Sequence, residues 1–366
     1  MRPPAEMLLG LTLDGGWKVV ERLPRPPGST GGHFSVGYKA RNAKGDEGFL
    51  KAIDITKAMA AQADPAQELR AATEMYLFER ELLEECKKLD RVVTAISDGT
   101  IQGATIHGAL PVPVFYLIFE LAEGDARSQA SVERRKTLVG TFQILHHAIN
   151  GMQQLHTKLI AHQDFKPSNV LHFSDGKAKV ADVGRAVAKN KEAPKKLTSL
   201  AVPGDMTYAA PELLYGDYST DWDRRRWGAD LYNIGCLIVF FFIGTSVNPW
   251  LKDELNPAHR WRIGAPPGAP YWTDEYSKVL PMVREAFERV MQRVGQTLHK
   301  DIVEPDPKSE RRKKIFTELM AAIRQLCDPD PALRGHPKDK MSNPFNLQRY
   351  VSLFNLLAET ARVGKL

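Results

Sequence analysis

Residues 164–182 contain oxygen-bearing side chains at a spacing that could hold a metal ion. Asp164, Lys166 and Asn169 lie within "HQDFKPSNV", and Asp182 follows in "KVADVG". Carboxylate and amide oxygens suit Mg²⁺, a hard ion that keeps several waters and takes its other ligands from phosphates. The D-x-K-x-x-N pattern alone carries little weight, because loops are generally rich in Asp, Asn, Ser and Pro.

The element between these residues strengthens the pattern. The short apolar runs "NVLHF" and "KAKVAD" flank the turn residues Ser174, Asp175 and Gly176. Such runs around a turn are typical of a β-hairpin. We therefore expect a hairpin that brings Asp182 beside the loop that carries Asp164.

This order and spacing, together with the Ala-Pro-Glu at 210–212, resemble the catalytic half of the eukaryotic-type protein kinase family. The resemblance implies an α+β, two-lobed fold. Residues 1–121 would form an N-lobe with a small antiparallel sheet and one helix. Residues 122–366 would form a mostly helical C-lobe with a helical insertion around 245–320. It also implies a serine/threonine protein kinase that uses ATP and Mg²⁺.

The resemblance assigns a role to each residue of the loop. Phosphoryl transfer depends mainly on positioning and on neutralising charge, with little covalent help from the protein. Asp164 would be the catalytic base, and Lys166 would neutralise the transferring phosphate. Asn169 and Asp182 would bind the metal ion.

Two further matches to the family are structural. Glu212 would pair with the distant Arg334 of "LCDPDPALR", and Asp230 of "DLYNIG" would hold the backbone of the catalytic loop, with Tyr232 in place of the family's tryptophan. Small-molecule kinases of the aminoglycoside type share the Asp and Asn loop but lack these features.

The phosphate-binding lysine should lie on a strand. "GFLKAIDI" predicts a strand, and by resemblance its Lys51 contacts the α- and β-phosphates. Lys39 is the rival, although its position before "ARN" fits the end of the preceding strand.

A helix after this strand should carry the glutamate that pairs with the lysine. Apolar residues recur at helical spacing between residues 65 and 89, and Asp64 before Pro65 predicts an N-cap followed by proline at the first helical position. Glu79 falls on the apolar stripe, where an unpaired carboxylate would be unfavourable. It is therefore preferred, with Glu81 as the alternative.

The remaining nucleotide contacts are assigned by position. Gly31 and Gly32 would lie in the loop over the phosphates, because glycine lets backbone N–H groups approach an anion closely. In "VFYLIFELAEGD", Glu120 and Ala122 would lie at the hinge that binds adenine, and Asp125 would meet the ribose.

Several positions depart from the family pattern. Gln163 replaces the arginine that normally pairs with a phosphorylated residue, so we expect no dependence on that phosphate clamp. Asp205 stands where Ser/Thr-specific kinases usually place a threonine that touches the catalytic Asp, whereas Lys166 favours Ser/Thr over Tyr. Val183 replaces the Phe of D-F-G. The sparse glycine loop and Gln163 leave a nucleotide-binding pseudokinase or scaffold as the alternative function.

The composition argues against several other classes of protein. Three dispersed cysteines predict neither a zinc site nor a disulfide framework. The net charge is only +6, and the basic residues are interspersed with acidic ones instead of forming a clustered basic stripe. The basic runs at 189–196 and 308–314 are more typical of solvated loops or helix ends than of nucleic-acid patches.

The longest apolar run, residues 236–244, is too short for a membrane span. We therefore expect a cytoplasmic protein with a protein substrate, possible regulation by another polypeptide, and neither a nucleic-acid nor a membrane partner.

Overall fold

The computed structural model describes residues 2–24, 35–56, 59, 64–128 and 137–365. Within them the expected two-lobed α+β fold is confirmed. The first lobe is built on a five-stranded antiparallel sheet of spatial order β1-β2-β3-β5-β4. Its strands are β1 (Lys18–Arg22), β2 (Ser35–Arg41), β3 (Glu47–Ile53), β4 (Ala95–Ile101) and β5 (Val114–Glu120).

Helix α1 (Pro65–Cys86) packs on one face of this sheet. The Asp64 carboxylate accepts hydrogen bonds from the N–H groups of Ala66 and Gln67, at 3.0 and 3.1 Å, so the predicted cap is confirmed. The helix ends at Cys86, three residues before the predicted end. On its inner face the ring of Tyr76 stacks on Phe115 of β5 at 4.8 Å.

The other face of the sheet is covered by the N-terminal segment, which the sequence patterns did not predict. Ala5, Leu8 and Trp17 are buried there in a separate core, together with inward-facing residues of β2, β3 and β5. The Tyr38 hydroxyl donates a hydrogen bond to the carbonyl of Ala5 at 2.8 Å. The N-terminal segment thus covers one face of the small sheet, and α1 packs on the other.

The second lobe is mostly helical. Its helices are α2 (Leu138–Thr157), α3 (Lys195–Thr198), α4 (Pro211–Tyr215), α5 (Trp222–Ile243), α6 (Val247–Glu254), α7 (Tyr276–Leu298), α8 (Glu310–Leu326) and α9 (Gln348–Val363). Its short strands are β6 (Gly124–Asp125), β7 (Ile160–Ala161), β8 (Val170–His172), β9 (Ala178–Val180) and β10 (Val187–Ala188). The predicted hairpin is present as β8 and β9, which pair antiparallel.

Helix α5 is the centre of this lobe. Its sequence is long and apolar enough to cross a membrane, but 83% of the apolar window is buried inside the fold. The helix ends at Ile243, where Gly244 adopts a left-handed conformation with φ of 86°. Residues 236–240 of the longest apolar run are buried in this helix, and residues 241–243 are partly buried.

The segment around 245–320 contains α6, α7 and most of α8. Helix α7 runs through Pro281 without ending, as its apolar pattern predicts. Its apolar stripe, which includes Val283, Phe287 and Val290, joins the main core. The insertion is therefore packed as part of the lobe.

A buried ion pair joins two distant parts of the chain within this lobe. The Arg334 guanidinium donates to both carboxylate oxygens of Glu212, at 2.8 and 2.9 Å, and to the carbonyl of Gly228 at 2.8 Å. Burial by itself would lower the pKa of Arg334, but the facing Glu212 carboxylate more than offsets this and raises it. The buried guanidinium is therefore charged, and its hydrogen bonds to Glu212 satisfy both side chains.

Removal of one partner should be strongly destabilising. We expect Glu212→Gln to lower the free energy of unfolding by about 3–5 kcal/mol, because a buried guanidinium loses its counter-charge. The double variant Glu212→Gln/Arg334→Met should recover part of the loss. Urea denaturation checks this, with Glu359→Gln as the control, since Glu359 forms an exposed pair with Arg362. Equal midpoints for Glu212→Gln and the control would contradict the prediction.

Candidate active site

Lys51 projects from the middle of β3 toward α1. Its strand neighbours Leu50 and Ala52 are buried in the core on the opposite face, so alternation directs the lysine to the side of the helix. There its Nζ lies 2.8 Å from Glu79 Oε1 and 3.0 Å from Asp182 Oδ1. One ammonium group thus connects the sheet, α1 and the segment after β9.

The two alternative residues lie elsewhere. Lys39 forms an ion pair with Glu47 on the neighbouring strand, at 2.7 Å. Glu81 points away from Lys51 and contacts Lys191. Of the candidates, the structure therefore brings only Lys51 and Glu79 together.

The charges at this junction stabilise one another. Burial would lower the pKa of Lys51, but Asp182 and Glu79 more than offset it and the pKa is raised. The nearby Lys51 ammonium is the main reason why the pKa of Asp182 is held well below its ordinary value. Lysine and aspartate are therefore both ionised at neutral pH.

Asp182 is held in an uncommon backbone conformation. Its φ is 62°, in the left-handed region that non-glycine residues rarely adopt. A Cβ at Gly184 would lie 3.2 Å from Asp182 Oδ1 and 3.3 Å from Glu79 Oε2. Glycine at 184 therefore leaves room for the two carboxylates to meet the lysine.

Residues 162–169, the catalytic loop, position the second carboxylate. Asp164 Oδ2 accepts a hydrogen bond from Lys166 Nζ at 2.9 Å, and Oδ1 accepts one from the N–H of Asp205 at 2.8 Å. The amide nitrogen of Asn169 donates to the Asp164 carbonyl at 2.8 Å. Because the nitrogen is used in this bond, the amide oxygen of Asn169 is the atom that can bind a cation.

The carboxylate of Asp164 is in a less polar environment than its neighbour Asp182. Its pKa is raised above the ordinary value, mainly because the group is buried. Lys166 and the Asp205 N–H oppose this effect only in part. Two aspartates in one site therefore have pKa values moved in opposite directions, which is common where one acts in proton transfer and the other binds charge.

The catalytic loop is fixed from below by α5. The buried Asp230 carboxylate accepts hydrogen bonds from the N–H groups of His162 and Gln163, at 2.8 and 2.7 Å. His156 of α2 contacts the same carboxylate at 2.9 Å. Asp230 therefore holds the backbone of the catalytic loop, as the sequence predicts.

Gln163 makes contacts that the sequence did not predict. Its side-chain nitrogen donates to the carbonyl of Arg185 at 2.6 Å, and its side-chain oxygen accepts from the buried Arg226. The residue thus connects the catalytic loop to α5 and to the segment that follows Asp182. No motif marks Arg226, because its contact exists only after α5 has packed under the loop.

The expected hinge residues lie where the lobes meet. Glu120 ends β5, and its carboxylate accepts hydrogen bonds from Lys179 at 2.7 and 2.6 Å. Ala122 follows in the connecting segment. The Asp125 carboxylate accepts from the N–H and hydroxyl of Ser128, at 2.8 and 2.9 Å, and so caps a turn. The two glycines expected over the phosphates, Gly31 and Gly32, lie outside the described residues.

The donor set fits a hard divalent cation that shares its ligands with phosphate. In the part of the chain that the structure describes, no three His, Cys, Asp or Glu side chains cluster as a complete metal cage. Asn169 and Asp182 instead offer an amide oxygen and a carboxylate. Mg²⁺ is commonly held by one or two protein oxygens, with waters and phosphates completing the shell.

The basic run at 189–196 is mostly exposed and enters α3 at Lys195, so the expected solvated loop or helix end is confirmed. Two of its lysines also form ion pairs with α1. Lys191 lies between Glu81 and Glu85, at 2.8 Å from the latter, and Lys196 contacts Glu68. Glutamates four residues apart lie on one face of a helix, so one lysine can reach both. The run at 308–314 does begin a helix, as expected.

Comparison with known proteins agrees with this geometry. The sequence profile of the protein kinase domain matches residues 31–263, more than half of the chain. A probable serine/threonine-protein kinase of Arabidopsis thaliana is 27% identical over 325 residues, which cover 86% of this chain and 38% of the relative. Mitogen-activated protein kinase 17 of the same plant is 23% identical, over 63% of this chain and 44% of its own length. Cyclin-dependent kinase C-2 of Oryza sativa subsp. japonica is 24% identical, over 68% and 49%. The match therefore spans less than half of each of these relatives.

The contacts between the basic run and α1 should help to hold the helix that carries Glu79. In Lys191→Ala/Lys196→Ala we expect the amide hydrogens of α1 to exchange about two- to fivefold faster, the range for partly exposed ion pairs. Hydrogen–deuterium exchange measures this. In 1 M salt the difference should largely vanish, because the Debye length falls to about 3 Å. The matched control is Lys313→Ala, whose pair with Glu310 is exposed; faster α1 exchange in the control as well would count against the prediction.

Proposed function

This chain belongs to the protein kinase family, and from that premise we propose that it transfers the γ-phosphoryl group of ATP to serine or threonine hydroxyls of proteins. The observation that carries the proposal is the double contact of Lys51. Its partners Glu79 and Asp182 are 28 and 131 residues away in the chain, yet they lie 2.8 and 3.0 Å from its ammonium. A charged lysine supported in this way is ready to bind the phosphates of a nucleotide.

The family uses ATP, and we propose Mg²⁺ as the accompanying metal ion. Asn169 and Asp182 would hold it, because they supply the hard oxygen ligands on that side of the site. When bound, the ion neutralises charge on the β- and γ-phosphates. Lys51 would then contact the α- and β-phosphates.

Asp164 would orient the acceptor hydroxyl and accept its proton. Its raised pKa suits this task, because a carboxylate with a higher pKa is a stronger base. Lys166, which holds Asp164 Oδ2 at 2.9 Å, is positioned to neutralise the transferring phosphate. The relative named as a probable serine/threonine-protein kinase and the lysine at 166 both favour serine and threonine as acceptors.

With Asp205 in place of threonine, the backbone of this segment still contacts Asp164. Its backbone N–H donates to Asp164 Oδ1 at 2.8 Å. Since a backbone donor is independent of the side chain, the catalytic carboxylate keeps a hydrogen-bond partner on this side. The substitution is therefore compatible with hydroxyl transfer.

The cellular setting is proposed from composition alone. A cytoplasmic location and regulation by another polypeptide, without nucleic acid or membrane as partner, stay predictions. They follow from the dispersed cysteines and the mixed charge of the sequence.

Replacement of the base should separate transfer from nucleotide binding. In Asp164→Asn we expect phosphoryl transfer to fall by about 10²–10⁴-fold, since a proton acceptor is lost while size is kept. Transfer of labelled γ-phosphate to protein measures the first effect, and thermal stabilisation by ATP and Mg²⁺, expected to persist, measures the second. Asp175→Asn, in the exposed hairpin turn, is the matched control.

Two results would contradict the proposal. Undiminished labelling with Asp164→Asn would show that Asp164 is not the base. If ATP stabilised the unaltered protein without transfer to any protein, the nucleotide-binding scaffold would be favoured.

The pH dependence follows from the direction of the Asp164 shift. The base works only when ionised, so kcat should fall as the pH decreases through its raised pKa, and this acid limb should lie above pH 3.8, the ordinary value. In Lys166→Met the limb should move higher still, because the ammonium that lowers the pKa of Asp164 is removed. A kcat–pH profile of both proteins checks the shift. A limb that moved to lower pH in the variant would refute it.

A further inference from the structure

Residues 204–209 run directly beside the catalytic carboxylate. A Cβ at Gly204 would lie 2.6 Å from Asp164 Oδ1 and 2.6 Å from the carbonyl of Gln163. Next to it, the N–H of Asp205 donates to Asp164. A hydroxyl that approaches Asp164 therefore comes close to this segment.

The carbonyl groups of this segment accept no backbone hydrogen bonds of a helix or a strand. Side chains from α5, from the start of α6 and from the turn between them donate to these carbonyls instead. Four consecutive carbonyls, at residues 206–209, each accept a bond from one of the buried residues Asn233, Ser246 and Asn248. The bonds are Asn248 Nδ2 to Met206 at 2.9 Å and to Ala209 at 2.8 Å, Ser246 Oγ to Thr207 at 2.5 Å, and Asn233 Nδ2 to Tyr208 at 2.7 Å. The backbone of the segment is therefore fixed from beneath.

We propose that Asn248 is the positioning residue that fixes residues 204–209 against Asp164 and so sets the affinity for the protein acceptor. It holds two of the four carbonyls and is 2% exposed. The proposal rests on the proposed function, since it concerns the acceptor of the same reaction. Asn248 is not a catalytic residue, because it acts only through the backbone that it holds.

The amide of Asn248 can face only one way. Carbonyl oxygens accept and cannot donate, so the amide nitrogen must face Met206 and Ala209. The amide oxygen then accepts from the hydroxyl of Tyr232 at 2.7 Å. All three contacts are satisfied by one orientation, which the two carbonyls impose and to which the Tyr232 hydroxyl adds a donor for the amide oxygen.

Single-atom changes can therefore test the arrangement. Asn248→Asp has the same shape but places a carboxylate oxygen against two carbonyls, which repel it. Tyr232→Phe removes only the hydroxyl that donates to the amide oxygen. Asn256→Ala is the matched control, because Asn256 is exposed and bonds only to the N–H of Ala258 in its own loop.

The first measurement is steady-state kinetics of the full chain, with ATP and the best acceptor from a serine/threonine peptide library. For Asn248→Asp we expect kcat/KM for the peptide to fall at least about tenfold, because misplacement of a docking surface weakens binding and alignment. KM for ATP should stay within about twofold, since no contact to the nucleotide side changes. Tyr232→Phe should give a smaller change of the same kind, and Asn256→Ala none.

The second measurement needs no activity. In Asn248→Asp the amide hydrogens of Asp205 and Tyr208 should exchange faster with solvent, while those of α9 are unchanged. If the unaltered protein transferred no phosphate, the proposed function would fail, and the exchange data would still decide the role of Asn248. Should Asn248→Asp not fold, Tyr232→Phe decides instead. Exchange and peptide kinetics equal to those of the unaltered protein, in whichever variant folds, would overturn the inference.

Discussion

The site depends on one ammonium group held between two carboxylates. Lys51 comes from the sheet, Glu79 from α1 and Asp182 from the segment after β9, so the triple contact exists only when all three elements are in register. Glu79 is buried and Lys51 partly buried, where an unpaired charge would be unfavourable because it loses its hydration, whereas Asp182 keeps partial access to water. Together they neutralise one another. The same electrostatic requirement that stabilises the lobe interface thus places the lysine and the aspartate where a nucleotide would need them.

A second set of buried polar groups connects the C-lobe to the catalytic loop. Asp230 holds two backbone N–H groups of the loop, and Arg334 holds Glu212 just after the segment that borders Asp164. Asn248 adds the carbonyls of that segment. Each of these residues is nearly inaccessible to water, so each bond is made at low local dielectric, where a missing partner is costly. Helix α5 and the start of α6 therefore act as a rigid base under the reactive groups.

The sequence by itself determined the chemistry and the main elements. Asp164, Asn169 and Asp182 are recognisable because phosphoryl transfer to a hydroxyl requires few residue types at fixed spacing. Periodicity gave the helices and strands, and local rules located the Asp64 cap and the hairpin before Asp182, since these depend on neighbours in the chain. Even Glu79 was distinguishable from Glu81, because a carboxylate on an apolar stripe needs a partner.

Only the tertiary structure decided the residues that act at a distance. Arg226 and Asn248 belong to no motif, because a buried hydrogen bond is defined by which backbone atoms another element brings near, and this is not encoded in local spacing. The ion pairs of Lys191 and Lys196 could not be predicted for the same reason, because their acidic partners lie on α1, more than a hundred residues earlier. The sequence thus indicated the candidate reactive groups, whereas packing of distant elements determined what holds them in place.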